Sequence, residues 1–355
     1  MPDDMYRYRH ERNMALLAGR IERILNEIAR QLTGPVSRVT PGTERERWLL
    51  SIRREIDEVL AGMQKSLKAI TEESVINAWN LANDKNNRLV DSYLDKKSTV
   101  NSQVLSSMNQ LNLGIMNRFL ARADSGKMVL SKSVWQIAAG FQEQLELYVG
   151  AGITQGKSAA GISRDIRALL KEPNMLFRRV RNEDGNLVLS APARDYHPGQ
   201  GVYRSSYKNA LRLARTETNI AYHLSDSERR AQIPFITGVR VVLSGAHPRY
   251  DICDSLQGEY PKGFIFSGWH PQCICHTETI LASREDFRAY LRDGKPIPAE
   301  AFRREIPRAA RAYLVEKDAA LKKSGLYWIK DNFDNDWKLK PGVVRTRSRN
   351  KPGGA

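Results

Sequence analysis

Six residues carry most of the chemistry this sequence offers, and they crowd into one short stretch. Cys253, Cys273 and Cys275 are all the cysteines of a 355-residue chain, and His247, His270 and His276 are half of its six histidines. Three thiols cannot pair off into a disulfide framework, whereas thiolate and imidazole together are the donors that zinc takes in a tetrahedral set. Cys253, His270, Cys273 and Cys275 would supply a Cys3His set of that kind. On an extended segment Cys273 and Cys275 point to the same side, so both thiolates can reach one ion. His247, Asp251 and His276 are further donors in the window, and spacing alone leaves open which four bind. Donors that are mostly thiolates close the coordination sphere and predict a structural zinc, whereas a spare His or Asp holding an open position would allow a metal-dependent nuclease. The plainer alternative is a loop-rich patch in which the cysteines serve as small buried hydrophobes.

Other motifs fall short of their chemistry. Gly152-Ile153-Thr154-Gln155-Gly156-Lys157-Ser158 has three residues between its glycines where a phosphate loop needs four, and it follows a helical stripe instead of a strand. His276-Thr277-Glu278 spells the H-x-E of zinc deaminases, but the cysteines precede it at the wrong spacing. There is no G-x-S-x-G and no H-E-x-x-H. Arg215-Thr216-Glu217, in a helical stretch, reads on physical grounds as a structural motif that ties neighbouring segments together by charge-assisted hydrogen bonds.

The elements that must position these residues can be read from periodicity. Met14, Leu17, Ile21, Ile24, Ile28 and Leu32 form a helical stripe that Thr33-Gly34-Pro35 should stop. Thr43 and Glu46 form a candidate capping box before a second stripe, Leu49, Ile52, Ile56, Val59, Met63, Leu67 and Ile70, which runs on past Trp79. The stripe loosens at Asp95 to Thr99 and resumes with Val104, Met108, Leu111, Ile115 and Phe119. Asp124-Ser125-Gly126 breaks it, and two more helices are expected from Val134 to Val149 and from Ile162 to Leu170. After Pro173, Arg178-Arg179-Val180-Arg181 and Asn186-Leu187-Val188-Leu189 flank Asn182-Glu183-Asp184-Gly185 as a hairpin would. A helix through Leu211 and Ala221 leads to the β-branched run Val239 to Leu243. Glu278 to Leu281 suits a closing strand, and 285–330 returns to charged helix. The expected fold is α+β and predominantly α-helical: a long N-terminal helical region, then a small β-containing module stapled by zinc.

With 56 Lys+Arg against 40 Asp+Glu the formal net charge is +16, which points toward a polyanionic partner. Phosphate contacts through Arg178, Arg179 and Arg181, and through Arg345, Arg347, Arg349 and Lys351 in a basic tail with little to pack, would bind DNA without regard to sequence. No run of 18 apolar residues occurs, and the first residues lack the basic and apolar regions of a secretory signal. Membrane insertion and export are therefore not expected.

The order of the motifs resembles the phage Mu F-like minor head protein, or phage head morphogenesis, family. The resemblance covers about residues 134 to 282. It rests on Gly156-Lys157-Ser158 with Ile162, then Ala214-Arg215-Thr216-Glu217, then Asp251-Ile252-Cys253-Asp254-Ser255-Leu256-Gln257-Gly258, then His270-Pro271-Gln272-Cys273-Ile274-Cys275. It implies a non-enzymatic minor capsid protein of a tailed bacteriophage, a virion component in the head interior or at the portal vertex that passes through the host cytoplasm during assembly. Its partners would be the portal protein, other head proteins and phage genomic DNA, and its work head assembly, DNA packaging or delivery. The alternative is a metal-dependent nuclease or toxin. Tyr250 stands where many relatives carry a first cysteine, so His247 or His270 would have to complete the ligand set. The implied organisation is an N-terminal helical region over 1–130, a head morphogenesis domain over 131–284 and a C-terminal helical segment with a flexible basic tail over 285–355.

Overall fold

The computed structural model describes residues 2–37, 45–94, 102–121, 136–145, 179–190 and 203–344, apart from 204, 246, 248, 249 and 325, together with residues 161 and 194. The glycine-rich stretch Gly152 to Ser158, the candidate cap Thr43, Asp124 to Gly126, the second of the two helices expected before Pro173 (Ile162 to Leu170), Arg178, and the tail residues Arg345, Arg347, Arg349 and Lys351 lie outside the described residues.

The two long stripes form helices α1 (Pro2–Ser37) and α2 (Arg45–Tyr93). α1 runs through Thr33-Gly34-Pro35, where the sequence predicts a stop. Pro35 withholds one backbone donor, and the helix ends two residues later instead of before it. The stripe expected from Val104 to Phe119 divides into α3 (Ser102–Met108) and α4 (Leu113–Leu120). The break centres on Asn112, whose φ of 47° no helix accommodates, and it leaves Leu111 exposed. Residues 136–145 are helical. The hairpin forms from β1 (Arg179–Arg181) and β2 (Leu187–Leu189), with Val180 opposite Val188 and Gly185 turning at φ 78°. Then follow α5 (Ser206–Gln232), β3 (Ile236–Val242), α6 (Ile252–Leu256), β4 (Gly258–Pro261) and β5 (His276–Leu281). The chain closes with α7 (Arg284–Asp293), α8 (Arg308–Glu316), α9 (Asp318–Ser324), α10 (Tyr327–Asn332) and α11 (Pro341–Val344). Among the described residues no helix is long and apolar enough to cross a membrane.

These elements form two compact units, each drawn from separated stretches of chain. One comprises residues 15–73 and 120–215. In its core Leu17, Ile21, Leu25, Ile28 and Leu32 of α1 meet Ile56, Leu60, Met63, Leu67 and Ile70 of α2, with Phe141, Leu145, Ala210 and Ala214 completing it. Each of these large aliphatic side chains contributes roughly 1.5–3 kcal/mol by leaving water. The exposed Arg20–Glu73 pair, at 3.1 and 2.6 Å, adds little beside that.

The other unit holds residues 1–14, 74–119 and 216–355, and with them the cysteines. Its sheet is antiparallel in the order β4-β3-β5, with Val239 opposite both Tyr260 and Thr279. One core gathers Val239, Val241, the three cysteines, Phe264, Phe266 and Trp269 with Ile306, Leu314, Leu321, Trp328, Phe333 and Val343. Leu339 and Val343 pack here, so the C-terminal basic tail, expected to be flexible with little to pack, is anchored as far as Val343. Trp328 donates its indole N–H to the Trp269 carbonyl at 3.2 Å, and Asn332 clamps the Ile265 backbone with two 2.8 Å hydrogen bonds.

Candidate metal centre

Cys253 is set by its own helix start. Asp251 caps α6 by accepting the Cys253 N–H at 2.6 Å, while the Asp251 N–H donates to Asp254 at 2.8 Å, a reciprocal box that fixes the first turn. Leu256 buries its side chain in the core, and two residues on Gly258 enters β4 at φ 133°. A Cβ there would lie 2.7 Å from Pro307 Cγ, so Cys-x-x-Leu-x-Gly amounts to a candidate ligand, an anchor and a backbone contact that admits no side chain.

The next two candidate donors, His270 and Cys273, come from a turn. The Cys273 N–H donates to the His270 carbonyl at 3.1 Å, and Gln272 between them takes φ 62°. That left-handed conformation is unusual outside glycine. The Gln272 N–H is received by Thr216 Oγ1 at 3.1 Å, so the Arg-Thr-Glu triplet on α5 holds the turn through its threonine. Arg215 and Glu217 lie half-buried on either side. Gly268, at φ 87°, is wedged where a Cβ would stand 3.2 Å from Cys273 Cβ and 3.5 Å from Asn219 Nδ2.

These two pieces converge. Cys253 Sγ lies 3.8 Å from Cys273 Sγ and 3.2 Å from His270 Nε2, and the ligand atoms of Cys253, His270 and Cys273 all fall within 4.8 Å of one another. Cys275 is buried in the same core, two residues beyond Cys273, but falls outside that three-donor group. Zn–S bonds of about 2.3 Å at tetrahedral angles place sulfurs about 3.8 Å apart, and a sulfur about 3.5 Å from an imidazole nitrogen. The cluster therefore fits a metal ion of that size with little adjustment. His270 Nδ1 pairs with the Pro271 carbonyl at 2.9 Å; with the proton there, the Nε2 lone pair is turned toward the sulfurs. The cysteines themselves are buried and His270 is partly exposed. Hydrogen bonds from Cys253 and Cys275, with help from the backbone at Trp269 and Cys275, hold the Cys273 thiol well below its ordinary value, and the contact with Cys273 raises Cys253.

His247 is the outlying donor. It groups with Asp251 and Cys253, but its Nε2 lies 3.0 Å from Asp254 and 3.7 Å from Asp251, over the capping box. His276 is turned elsewhere too, its Nε2 3.1 Å from Arg7 Nη1. Of the expected DNA contacts, Arg179 and Arg181 are described; both are exposed on β1, and Arg181 donates to the Gly185 carbonyl at 2.6 Å.

Sequence reasoning missed the buried polar seam beside this centre. Asn219, His223, Asp226 and Arg230 line one buried face of α5. Asp226 pairs with Lys85 and Arg230 and accepts from Asn86 at 2.8 Å and Thr277 at 3.2 Å. The signal was the spacing of those four polar residues, which recurs like a hydrophobic stripe. No family model, no curated protein and no solved structure matches this chain.

Proposed function

We propose that this chain is a minor head protein of a tailed bacteriophage, a structural and interaction component whose sheet-bearing unit is held by one structural zinc ion. The observation that carries the reading is the meeting of motifs that lie far apart in sequence. Thr216 supports the turn of His270-Pro271-Gln272-Cys273, and Cys253 faces both of that turn's donors. Three thiolates and one imidazole fill a tetrahedral sphere and leave no position for water or substrate, which favours a scaffold over a nuclease. The small sheet gains from an ion what its few strands cannot supply by burial alone. Helical faces would dock on the portal or on sister copies, and Arg179 with Arg181 would lie against DNA phosphates.

Metal analysis of the purified chain tests the zinc. About one zinc per chain is expected, lost in Cys273→Ser and kept in His247→Ala; a chain without zinc sinks this part of the reading. Quantitative mass spectrometry of purified particles tests the role: the chain should co-purify with the portal. Cleavage of DNA or RNA that a chelator abolishes would overturn the scaffold reading in favour of the nuclease.

A further inference from the structure

The first turns of α1 pack against the stretches that carry the ligands. Tyr6, His10 and Met14 recur at helical spacing and are buried within the unit that holds the cysteines. His10 Nε2 lies 3.1 Å from Asn219 Oδ1, and its ring stacks on Tyr222 with centroids 4.2 Å apart. Asn219 in turn borders Gly268, which also borders Cys273 and the His270 carbonyl. One helical turn earlier Arg7 Nη1 reaches His276 Nε2 at 3.1 Å, and His276 directly follows Cys275. Two separate threads therefore join residues 7 and 10 to the segment 268–276, one through a side chain on α5 and one direct.

We infer that the metal-bearing loop is a seat for the N-terminal helix, and that ion binding and docking of residues 2–14 are thermodynamically coupled. The inference rests on the zinc reading above and names what the ion regulates. The ion fixes His270, Cys273 and Cys275, and so fixes Gly268 and His276, the points at which Asn219 and Arg7 make contact. With the ion gone, segment 268–276 loses its common anchor and the seat loosens. Coupling of this kind is reciprocal: whatever factor the ion gains from a docked helix, the helix gains from a bound ion. In an assembly protein such a seat would let zinc occupancy decide whether the first turns of α1 are held or released to another partner.

The test uses the full chain, loaded with zinc or stripped by a chelator. Backbone hydrogen exchange over residues 2–14 should rise about tenfold or more on stripping, while residues 17–32 of the same helix, which belong to the other unit's core, keep their protection. Reciprocally, Arg7→Ala should weaken zinc about fivefold in competition with a chromogenic chelator, and Arg7→Ala with His10→Leu should weaken it further, within the usual 5–150-fold range of such couplings. Arg7 is partly exposed, so its single variant folds even if the double does not. Equal exchange over 2–14 with and without zinc, or unchanged affinity in Arg7→Ala, overturns the coupling and leaves the metal site standing. Loss of protection over 17–32 as well overturns its local character. A wild-type chain that takes up no zinc removes the metal reading and the coupling together.

Discussion

His10 and His223 lie buried with ring centroids 6.4 Å apart, and burial depresses both, to about 4 and about 3. Around His223, His10 and Lys85 push further down while Asp226 and Cys273 pull up, and burial outweighs them all. Unfolded, each ring returns to an ordinary histidine value near 6.5. Between pH 6.5 and 4 the unfolded chain therefore binds protons that the folded chain refuses, and stability falls as acid is added. The slope is about 1.4 kcal/mol per pH unit for each ring. Asp226 enters later: burial alone would raise its carboxyl, but Lys85 and Arg230 hold it far below the usual range, so its contribution is lost only below about pH 4. Urea unfolding at pH 7.5, 6.5 and 5.5 should show the histidine limb, and His223→Phe should flatten it by about one proton in the same buffers. An identical slope in the variant would mean that His223 takes up its proton without unfolding the chain.

At the scale of elements, α5 holds the turn that carries His270 and Cys273 through a threonine. Thr216→Val keeps the shape of that side chain and strands the Gln272 N–H, a change worth about 1 kcal/mol. Because His270 and Cys273 flank Gln272, zinc should also bind several-fold more weakly, read by chelator competition; equal affinity and equal stability would mean that the turn stands without α5. The long helices α1, α2 and α5, with β3 and β5, were legible because each buries one face or carries a β-branched run, and the exposed hairpin through its turn residues; α6 and α11 are too short to show a stripe. β4 was not: Gly258-Glu259-Tyr260-Pro261 has no strand pattern of its own and becomes a strand by pairing with β3. The break at Asn109 to Asn112 was hidden because Leu111 keeps helical spacing while facing out. That cysteines and histidines of this window form a group able to hold a metal was legible, whereas the meeting of Cys253 with His270 and Cys273 depends on the left-handed turn at Gln272, and the placement of His247 on the capping box beside it. That Lys85 joins Asp226 and Arg230 was illegible, since such residues are almost never fully buried unless they find one another across the fold.

For the molecule as a whole, the cysteines depend on residues far from them in sequence. A fragment of residues 131–284 would carry all three cysteines, His270 and α5, yet it would lack Ile306, Leu314, Leu321, Trp328 and Phe333, which share a core with them. It would lack Leu89, Val90, Tyr93 and Met108, which pack with Ile233, Phe235 and Ile236. Asp226 would be left buried with Arg230 but without Lys85. Five large side chains at roughly 1.5–3 kcal/mol each amount to a loss of the same order as the net stability of a domain, about 5–15 kcal/mol. One zinc ion cannot offset that, because the groups that orient its ligands are among those weakened. The fragment should therefore give a poorly dispersed amide spectrum and no cooperative melt even with zinc added, whereas the full chain melts cooperatively. Dispersed amide resonances and a cooperative melt in zinc-loaded 131–284 would show that the centre and α5 suffice, and that the C-terminal helices only shelter it.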